Sequence, residues 1–549
     1  MFLSMFFEIL SLGSILPVLT FFTDPEKVID YLNYYNFNLN IKEDNYIYVF
    51  FIFILLLFII KIIFLVFLNW WQSHLVFLVE TKLSKQLYKG YLNQSLEYFD
   101  NRNSSDLIRN IITGITYFSG SIMFISIFIT EFLVIIGASC LLIYVEPIGA
   151  IFIGVVFICS ALIYYRVTKK KVLDWGEKRQ FYDGKKLKSL QQGFNGIHII
   201  KFLNREMFFI KEFSISNYKN AQVSKYQMIL NSIPRLWFEL ISVFTVISLL
   251  FILVMKGKTI DTIIPTLGLF VATAFRFMPS ANRILISIQN LKFSSPFIDT
   301  IFTEMKEIER TNKKVFSETN DLFFNKTIEF KDVNFRYTNT KNWILKKLNF
   351  KVNTGSTLGI IGESGSGKST IIKLLTGLIN PNSGSIEVDG KNIKSNIKDW
   401  QKSISYVPQN VFLIDDSIRK NITFGIDDKF IDENQLDYSL KVAQIKDFVD
   451  SLPEGKNTMV GERGIKLSGG QIQRIGIARA LYNKSSVLIL DEATSSLDTK
   501  TERNFLKFIS KLREFKLKII VTHRKSSLEI CNEIFEMKLG TFKKVVYGK

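Results

Sequence analysis

Apolar residues follow two different patterns along this chain of 549 residues. In the first half they form six long runs, each close to the length of about 20 residues that a helix needs to cross a bilayer. These runs cover residues 2–22, 46–71, 117–144, 148–165, 233–255 and 263–285. In the second half, short apolar runs alternate with amphipathic segments, as strands and helices do in an α/β domain. The pattern predicts a helical membrane domain followed by a soluble α/β domain.

The polar segments between the six runs differ in length and charge, which predicts the side of the membrane they occupy. Residues 72–116 and 166–232 are long and rich in lysine and arginine, whereas residues 23–45 are short and rather acidic. Because cytoplasmic loops collect Lys and Arg, both long segments and both chain ends are expected in the cytoplasm. The long segments allow helices that continue well beyond the bilayer. For residues 23–45, a short interfacial helix and a plain loop remain alternatives.

Composition agrees with a membrane protein and argues against a nucleic-acid partner. Hydrophobic residues make up 48% of the chain, 50 residues are phenylalanine, and the mean hydropathy is +0.19. The net charge of +19 would suit nucleic acid, but much of it lies in residues 166–225, between apolar runs. That placement favours membrane orientation. The three cysteines have neither metal-site nor disulfide-framework spacing.

A charged segment between the two halves predicts the domain bounds. We expect a six-span membrane domain over 1–303, a linker over 304–325 and an α/β domain over 326–549. The predicted fold class is therefore a multidomain membrane protein, with six membrane helices followed by an α/β domain.

The segment 362–370 carries the strongest chemical signal, because it fits the pattern G-x-x-x-x-G-K-[ST]. An apolar strand precedes it and a helical run follows, which is the context that a phosphate-binding loop requires and a chance glycine-rich turn would lack. Glycines let backbone N–H groups surround phosphates, and the helix N-terminus adds a favourable dipole. Lys368 is expected to reach the β- and γ-phosphates of ATP, and Ser369 to ligate Mg²⁺. The α/β domain over 326–549 is therefore predicted to be a nucleotide-binding P-loop ATPase domain. The predicted nucleotide contacts are Gly362, Ser364, Gly365, Gly367, Lys368, Ser369 and Thr370.

Two adjacent carboxylates, Asp491 and Glu492, follow the apolar strand 487–490. In a parallel sheet such a strand end lies beside the phosphate-binding loop. Asp491 is expected to hold Mg²⁺, directly or through water, and Glu492 to polarise the water that attacks the γ-phosphate. The alternative is a pair of acids that cap a helix.

A second glycine-rich helix start, Leu467-Ser-Gly-Gly-Gln471, gives the domain its resemblance to a family. With the phosphate-binding loop and the two carboxylates, it resembles the ATP-binding cassette family, whose LSGGQ signature completes the ATP site of a second subunit. The resemblance implies that Ser468, Gly470 and Gln471 contact ATP held by the partner. One phosphate loop and one signature per chain then imply a half-transporter that works as a dimer with a second copy of itself.

Four further positions match the cassette family, and their roles are those that the resemblance implies. Tyr337 matches the aromatic that stacks on adenine, and Asp498 lies in the loop that crosses the dimer interface. Gln409 matches the glutamine that senses Mg²⁺ and the membrane domain, and His523 the switch histidine on the γ-phosphate. The implied catalytic set is Glu492, His523, Gln409 and Lys368. The implied cofactors are ATP and Mg²⁺, the metal being held by Ser369, Gln409 and Asp491.

The membrane half resembles a narrower group, the bacterial lipid-linked oligosaccharide flippases, in residues 13–17, 196–201 and 277–283. Lys61, Arg276 and Arg283 fall within the apolar runs, where a charge is costly and usually faces a cavity. A cavity lined by these three cations suits a pyrophosphate head group. Lys61 stands where that group tends to carry arginine, and this weakens bidentate recognition. Snorkelling or an internal ion pair, with Glu131 and Glu239 as partners, is the alternative.

The sequence therefore predicts ATP-driven export or flipping of a lipid-linked oligosaccharide or polysaccharide precursor across the cytoplasmic membrane, with the cassette domain in the cytoplasm. Its expected partners are a second copy of the chain, membrane lipid and the lipid-linked glycan. An exporter of a peptide, a lipid or a small hydrophobic compound is the alternative, since it shares the fold without needing a cationic cavity. A cassette ATPase that acts on DNA or ribosomes is excluded by the six apolar runs.

Overall fold

The structure is a computed structural model that describes residues 1–14, 46–145, 147–255, 260–314, 324–338, 340–494, 498–538 and 540–545. The chain divides into two compact units. The first contains Met1–Gln94 and Tyr98–Lys313, and the second contains Ser95–Glu97 and Lys314–Lys549. The predicted domain bounds stay a prediction, although the helix that enters the predicted linker continues to Lys314.

The first unit is built from helices, several of which run far past the length of a bilayer. The second helix has 47 residues, about 70 Å at 1.5 Å per residue, against a hydrocarbon thickness of about 30 Å. A five-residue π-helical turn, Asn110–Gly114, follows the fourth helix. The helices are α1 Phe2–Gly13, α2 Tyr46–Leu92, α3 Leu96–Asp100, α4 Ser104–Arg109, α5 Ile115–Val145, α6 Pro147–Asn195, α7 Ile197–Phe202, α8 Glu206–Met255 and α9 Ile260–Lys314.

Four helical segments among the described residues are long and apolar enough to cross a membrane: Phe51–Leu92, Ser104–Tyr144, Pro147–Asn195 and Glu206–Ser248. They correspond to the second to fifth predicted runs. The start of the first run forms α1, a shorter apolar helix, and the sixth run lies within α9. The interfacial helix weighed for residues 23–45 lies outside the described residues.

The membrane helices pack closely at small residues and at aromatic side chains, since van der Waals packing rather than removal from water holds helices together in lipid. A Cβ atom at Gly137 of α5 would come within 2.5 Å of the Ile9 side chain in α1. Between α6 and α8, the rings of Phe157 and Phe238 stack with centroids 5.6 Å apart.

The second unit contains two sheets with helices around them. The four-stranded sheet has the order β2-β1-β4-β5 and the six-stranded sheet the order β10-β9-β3-β8-β7-β6. The strands are β1 Thr327–Phe335, β2 Leu345–Asn353, β3 Thr357–Gly362, β4 Ser383–Val388, β5 Lys391–Asn392, β6 Ile404–Val407, β7 Val487–Asp491, β8 Leu517–Val521, β9 Glu533–Lys538 and β10 Thr541–Val545. The helices are α10 Lys368–Leu375, α11 Ile397–Lys402, α12 Ile418–Ile422, α13 Glu433–Val442, α14 Lys446–Asp450, α15 Gly469–Tyr482, α16 Thr499–Lys511 and α17 Lys525–Leu528.

Strand register brings the predicted site together. The strands β3, β8 and β7 are parallel neighbours. Val521 of β8 pairs with Ile360 on one side and with Asp491 on the other. The phosphate-binding loop after β3 and the carboxylates at the end of β7 therefore lie at the same edge of the sheet, where open α/β sheets bind ligands.

Candidate functional site

The phosphate-binding loop joins the end of β3 to the start of α10. Gly367, just before the helix, has φ +111°, a conformation that side chains disfavour. Gly362 has φ +150°, and a Cβ atom there would lie 2.5 Å from the carbonyl oxygen of Met537. Glycine is therefore required at both positions. The loop has the tight course that the sequence pattern predicts.

Lys368 is buried at the start of α10 and folded back on the loop. Its Nζ donates to the carbonyl oxygens of Gly362 and Glu363, at 2.5 and 2.9 Å. Burial lowers the pKa of the Lys368 ammonium, and the nearby Glu492 and Asp491 carboxylates oppose that shift. Two hydrogen bonds thus hold the ammonium over the loop. A phosphate oxygen can take the place of the carbonyl oxygens as their acceptor.

The carboxylates after β7 have different surroundings. Asp491 is 6% exposed and accepts a hydrogen bond from the Tyr406 hydroxyl at 3.3 Å. Burial raises the pKa of the Asp491 carboxyl, and the Tyr406 hydrogen bond works against the increase. The sequence analysis missed Tyr406. It lies in β6, and only the pairing of β6 with β7 brings it to Asp491.

Glu492 brings two predicted catalytic residues together. Its Oε2 accepts from Gln409 Nε2 at 2.7 Å, and its Oε1 lies 3.2 Å from His523 Nε2. Its backbone has φ +48°, in the left-handed region that is uncommon for residues other than glycine. Such strain is concentrated at functional sites, where the surroundings hold the side chain in one direction. The structure thus groups Glu492, Gln409 and His523 beside the phosphate-binding loop.

A cleft of ≈ 820 Å³ opens along this loop. Its lining includes Ser364 and Gly365 of the loop, Trp343 before β2, and residues of the β9–β10 hairpin. Besides the predicted Tyr337, the aromatic residue Trp343 lies beside the site, and the Arg336 guanidinium is 4.8 Å from the centre of the Trp343 ring. Tyr337, the predicted adenine contact, packs edge-on against Phe335 with centroids 5.0 Å apart.

The loop and the carboxylates fit a magnesium–nucleotide ligand. The Ser366 hydroxyl is buried and has no hydrogen-bond partner in the described part of the chain, as expected where a phosphate would supply one. Ser369 is exposed at the start of α10, next to the buried Thr370. Hydroxyl and carboxylate oxygens are the donors that Mg²⁺ prefers. Ser369 and Asp491 therefore supply a suitable oxygen set.

The signature segment starts α15 with a capping box. Ser468 Oγ accepts from the Gln471 backbone N–H at 3.3 Å, and Gln471 Oε1 accepts from the Ser468 N–H at 2.8 Å. Gly470 lies in the first turn of that helix. Asp498 caps α16 by accepting from the Thr501 N–H at 2.9 Å, and hydrogen bonds from the side chain and the backbone of Thr501 lower the pKa of its carboxyl. The neighbouring Ser496 and Leu497 lie outside the described residues.

Two of the predicted cavity cations are held in ion pairs. Lys61 Nζ lies 2.9 Å from Glu8 Oε2 and also donates to Ser11 Oγ at 2.9 Å. Arg283 Nε lies 3.0 Å from Glu131 Oε1. The Glu131 partner is the one that the sequence offered as an alternative, whereas Glu8 was not foreseen. The side chain of Arg276 lies outside the described residues.

These groups line or adjoin a cleft of ≈ 240 Å³ inside the first unit. Its lining contains the carboxylates of Glu8 and Glu131 as well as the Arg283 guanidinium. The cleft in this chain is therefore polar and charge-balanced rather than lined by cations alone. The cavity lined by Lys61, Arg276 and Arg283 stays a prediction.

A second cleft of ≈ 480 Å³ lies between α8 and α9. Its walls are largely apolar, and Arg235 and Glu239 lie on it one helical turn apart, both exposed. Within the described part of the chain, no ion pair involves Arg235. Sequence reasoning missed Arg235, although a charge two residues inside the fifth apolar run was a usable signal.

Comparisons with protein families support a helical membrane domain followed by an ATPase domain. The ABC transporter transmembrane region matches residues 2–275, and the ABC transporter family matches residues 345–495. An uncharacterised ABC transporter ATP-binding protein of Bacillus subtilis, YknU, is 30% identical over 475 residues, which is 84% of this chain and 78% of that protein.

Two other relatives and one solved structure match different shares of this chain. A putative export ATP-binding/permease protein of Rickettsia typhi is 29% identical over 84% of this chain and 80% of its own length. An ATP-dependent lipid A-core flippase of Idiomarina loihiensis is 40% identical over 44% of this chain and 40% of its own length. The structure of a bacterial Atm1-family ABC exporter with ATP bound matches with a TM-score of 0.77 at 22% identity, covering 98% of this chain and 94% of that one. That likeness shows a shared fold.

Proposed function

This chain belongs to the ABC transporter family, and we propose that its cargo is a lipid-linked oligosaccharide or polysaccharide precursor that it moves across the cytoplasmic membrane. It is a membrane protein whose ATPase domain hydrolyses ATP to drive export. The observation that carries the cargo proposal is Arg235, an exposed cation on a largely apolar cleft.

The physical argument starts from the cost of that charge. Arginine costs about 2.5–3.5 kcal/mol at the centre of a membrane helix and less near the end of the span, where Arg235 lies, and such a charge usually faces a cavity or a partner. Its planar guanidinium binds phosphate oxygens in pairs, which lysine does not. Apolar walls formed by Val243, Val246 and Ile247 suit a hydrocarbon chain beside that head group. An amphiphile with a phosphorylated head and an apolar tail meets both halves of the cleft.

The polar cleft with Arg283 supports the same cargo in a second way. An entering phosphate would compete with Glu131 for the guanidinium, and the displaced carboxylate is 6% exposed in this structure. Losing an ion pair at a buried carboxylate is costly. A ligand with two negative charges gains more from the Arg283 guanidinium than a neutral compound does, and this gain must exceed the cost of unpairing Glu131.

For hydrolysis, we infer that each predicted residue acts on the phosphates or on the attacking water. Lys368 would exchange its carbonyl partners for phosphate oxygens. Ser369, Asp491 and Gln409 would hold Mg²⁺, which supplies neutralisation of phosphate charge when bound. Glu492 would orient the water as general base, and His523 would contact the γ-phosphate. Gln409 now bonds to Glu492, so it must turn away to reach a metal.

Dimerisation belongs to the same proposal. The reciprocal hydrogen bonds between Ser468 and Gln471 stabilise the first turn of α15. The N-terminus of that helix is a suitable place for an anion. We infer that the signature of one copy closes on the nucleotide held by the phosphate-binding loop of the other. Both cassettes would lie in the cytoplasm, where ATP is available.

The test is flipping of a fluorescent lipid-linked oligosaccharide in proteoliposomes. Arg235→Ala should lower flipping about tenfold, or about 1.4 kcal/mol, while ATP hydrolysis without cargo persists. Arg235→Lys should be intermediate because it keeps the charge and loses the planar fork. The matched control is Lys178→Ala, which removes an exposed cation paired with Asp174 on α6. Unchanged flipping by Arg235→Ala would refute the head-group role. Export of a hydrophobic dye or peptide by a wild-type protein that flips no glycolipid would establish the alternative exporter.

A further inference from the structure

A network of four polar residues ties the segment after α2 to α9. The Arg102 guanidinium meets two carboxylates one turn apart on α9: Nη2 lies 2.7 Å from Glu307 Oε2, and Nη1 bonds to Glu304. The Tyr98 hydroxyl donates to Glu304 Oε2 at 2.8 Å and accepts from Arg102 Nη1 at 3.0 Å. We call this network the loop–helix clamp; it consists of Tyr98, Arg102, Glu304 and Glu307.

The loop–helix clamp differs from an ordinary surface ion pair. Glu304 is only 7% exposed, and the Arg102 guanidinium also lies 4.3 Å from the centre of the Tyr98 ring. Burial, reinforced by Glu304, raises the pKa of the Tyr98 hydroxyl, so it remains a hydrogen-bond donor. An exposed ion pair contributes little to stability, whereas Arg102 reaches two carboxylates at once, and the buried Glu304 fixes the geometry of the contact.

Apolar packing continues the connection beneath the clamp. A buried cluster joins α2, α4 and α9 through Leu87, Leu107, Ile301 and Ile308. The π-helical turn lies in the same region, where the buried Asn110 donates to the Tyr91 hydroxyl at 3.2 Å. Such turns occur often at functional positions in helices. The segment and α9 are therefore joined by both polar and apolar contacts.

The position of the clamp in the chain indicates its purpose. The helix α9 runs to Lys314, where the second unit begins, and Ser95–Glu97 group with that second unit. We propose that Arg102 is a positioning residue for coupling: it locks the segment after α2 onto α9, so that both move together when ATP is bound and hydrolysed. Without the lock, the two segments can respond to the ATPase domain separately. The cassette would then cycle without moving the membrane helices.

The first test measures this coupling without reference to cargo. Amide hydrogen exchange of the full-length protein in nanodiscs is compared with and without trapping by ATP and vanadate. In the wild type, trapping should change exchange in peptides of α5 and α6. In Arg102→Ala that change should fall about fivefold or more, while exchange at the phosphate-binding loop still responds and ATPase activity persists. A full response in α5 and α6 would overturn the proposal.

The second test separates coupling from simple stabilisation. The charge exchange Arg102→Glu with Glu304→Arg rebuilds an ion pair at the same place, and it should restore the response that Arg102→Glu alone removes. The matched control is Lys178→Ala, which breaks an exposed pair on α6 and should leave the response unchanged. If Arg102→Ala loses ATPase activity and thermal stability in parallel, its role is structural and the proposal fails. Neither test uses a glycolipid, so the clamp can fail or hold independently of the proposed cargo.

Discussion

The side-chain amide of Gln409 donates a hydrogen bond to the carboxylate of Glu492, with Nε2 and Oε2 2.7 Å apart. His523 lies against the other oxygen at 3.2 Å. Both oxygens of the proposed base are thus occupied by residues that are themselves expected to face Mg²⁺ and the γ-phosphate. Binding of the magnesium nucleotide would draw these partners away and free Glu492 for water. The base would therefore become available when its substrate arrives.

Replacing Glu492 by Gln should leave nucleotide binding intact and lower ATP hydrolysis by about 100-fold or more, the usual contribution of a general base. The amide keeps the size of the side chain but accepts no proton. Phosphate release and binding of a fluorescent nucleotide measure the two effects separately. Lys368→Ala is the matched comparison, since it should weaken binding itself. Near-normal phosphate release by Glu492→Gln would exclude Glu492 as the base.

Asp491→Asn should stabilise the nucleotide-free protein while impairing magnesium-dependent hydrolysis. Burial raises the pKa of Asp491 above its unfolded value, so the free energy of unfolding falls as pH rises through the acidic range towards that raised pKa. An amide carries no charge to desolvate, so the variant should lack this pH dependence and melt about 2–4 °C higher at neutral pH. Thermal unfolding at several pH values without nucleotide measures this. An equal pH dependence in both proteins would contradict the prediction.

Mixed dimers test whether each ATP site is shared between two copies. A Lys368→Ala chain paired with a Ser468→Arg chain should keep one intact site, because both changes then fall in the other site. Each homodimer carries its defect in both sites. The measurement is ATPase activity of purified heterodimers isolated by two different tags. If the mixture behaves as the sum of its homodimers, each copy hydrolyses ATP alone and the shared site is wrong.

Arg283→Ala should both lower stability and stop flipping of a lipid-linked oligosaccharide. Removing the guanidinium leaves Glu131 buried without that partner, which typically costs about 3–5 kcal/mol. Adding Glu131→Gln removes the stranded charge and should recover expression and thermal stability. The double variant then isolates the head-group role in the flipping assay, with basal ATPase activity as the control. Full flipping by the double variant would remove Arg283 from the proposed cargo site, and Arg276→Ala can be judged by the same assay.

Local chemistry in the sequence determined much of the ATP site. A phosphate-binding loop needs a strand, a glycine-rich turn and a helix in immediate succession, and all three lie within residues 357–375. The carboxylates likewise follow directly on the apolar strand that carries them. The membrane helices were also predictable from local sequence, because the thickness of the bilayer sets the length of apolar run that a spanning helix needs.

Only the tertiary structure decided which partner each charged side chain has. Lys61 pairs with Glu8, 53 residues away, and Arg102 reaches Glu304 across 202 residues. Tyr406 touches Asp491 because β6 and β7 are neighbours, although 85 residues separate the two in the chain. A local pattern records that a residue is charged and which face it occupies. Its partner depends on how distant helices and strands pack, and that information belongs to no single stretch of sequence.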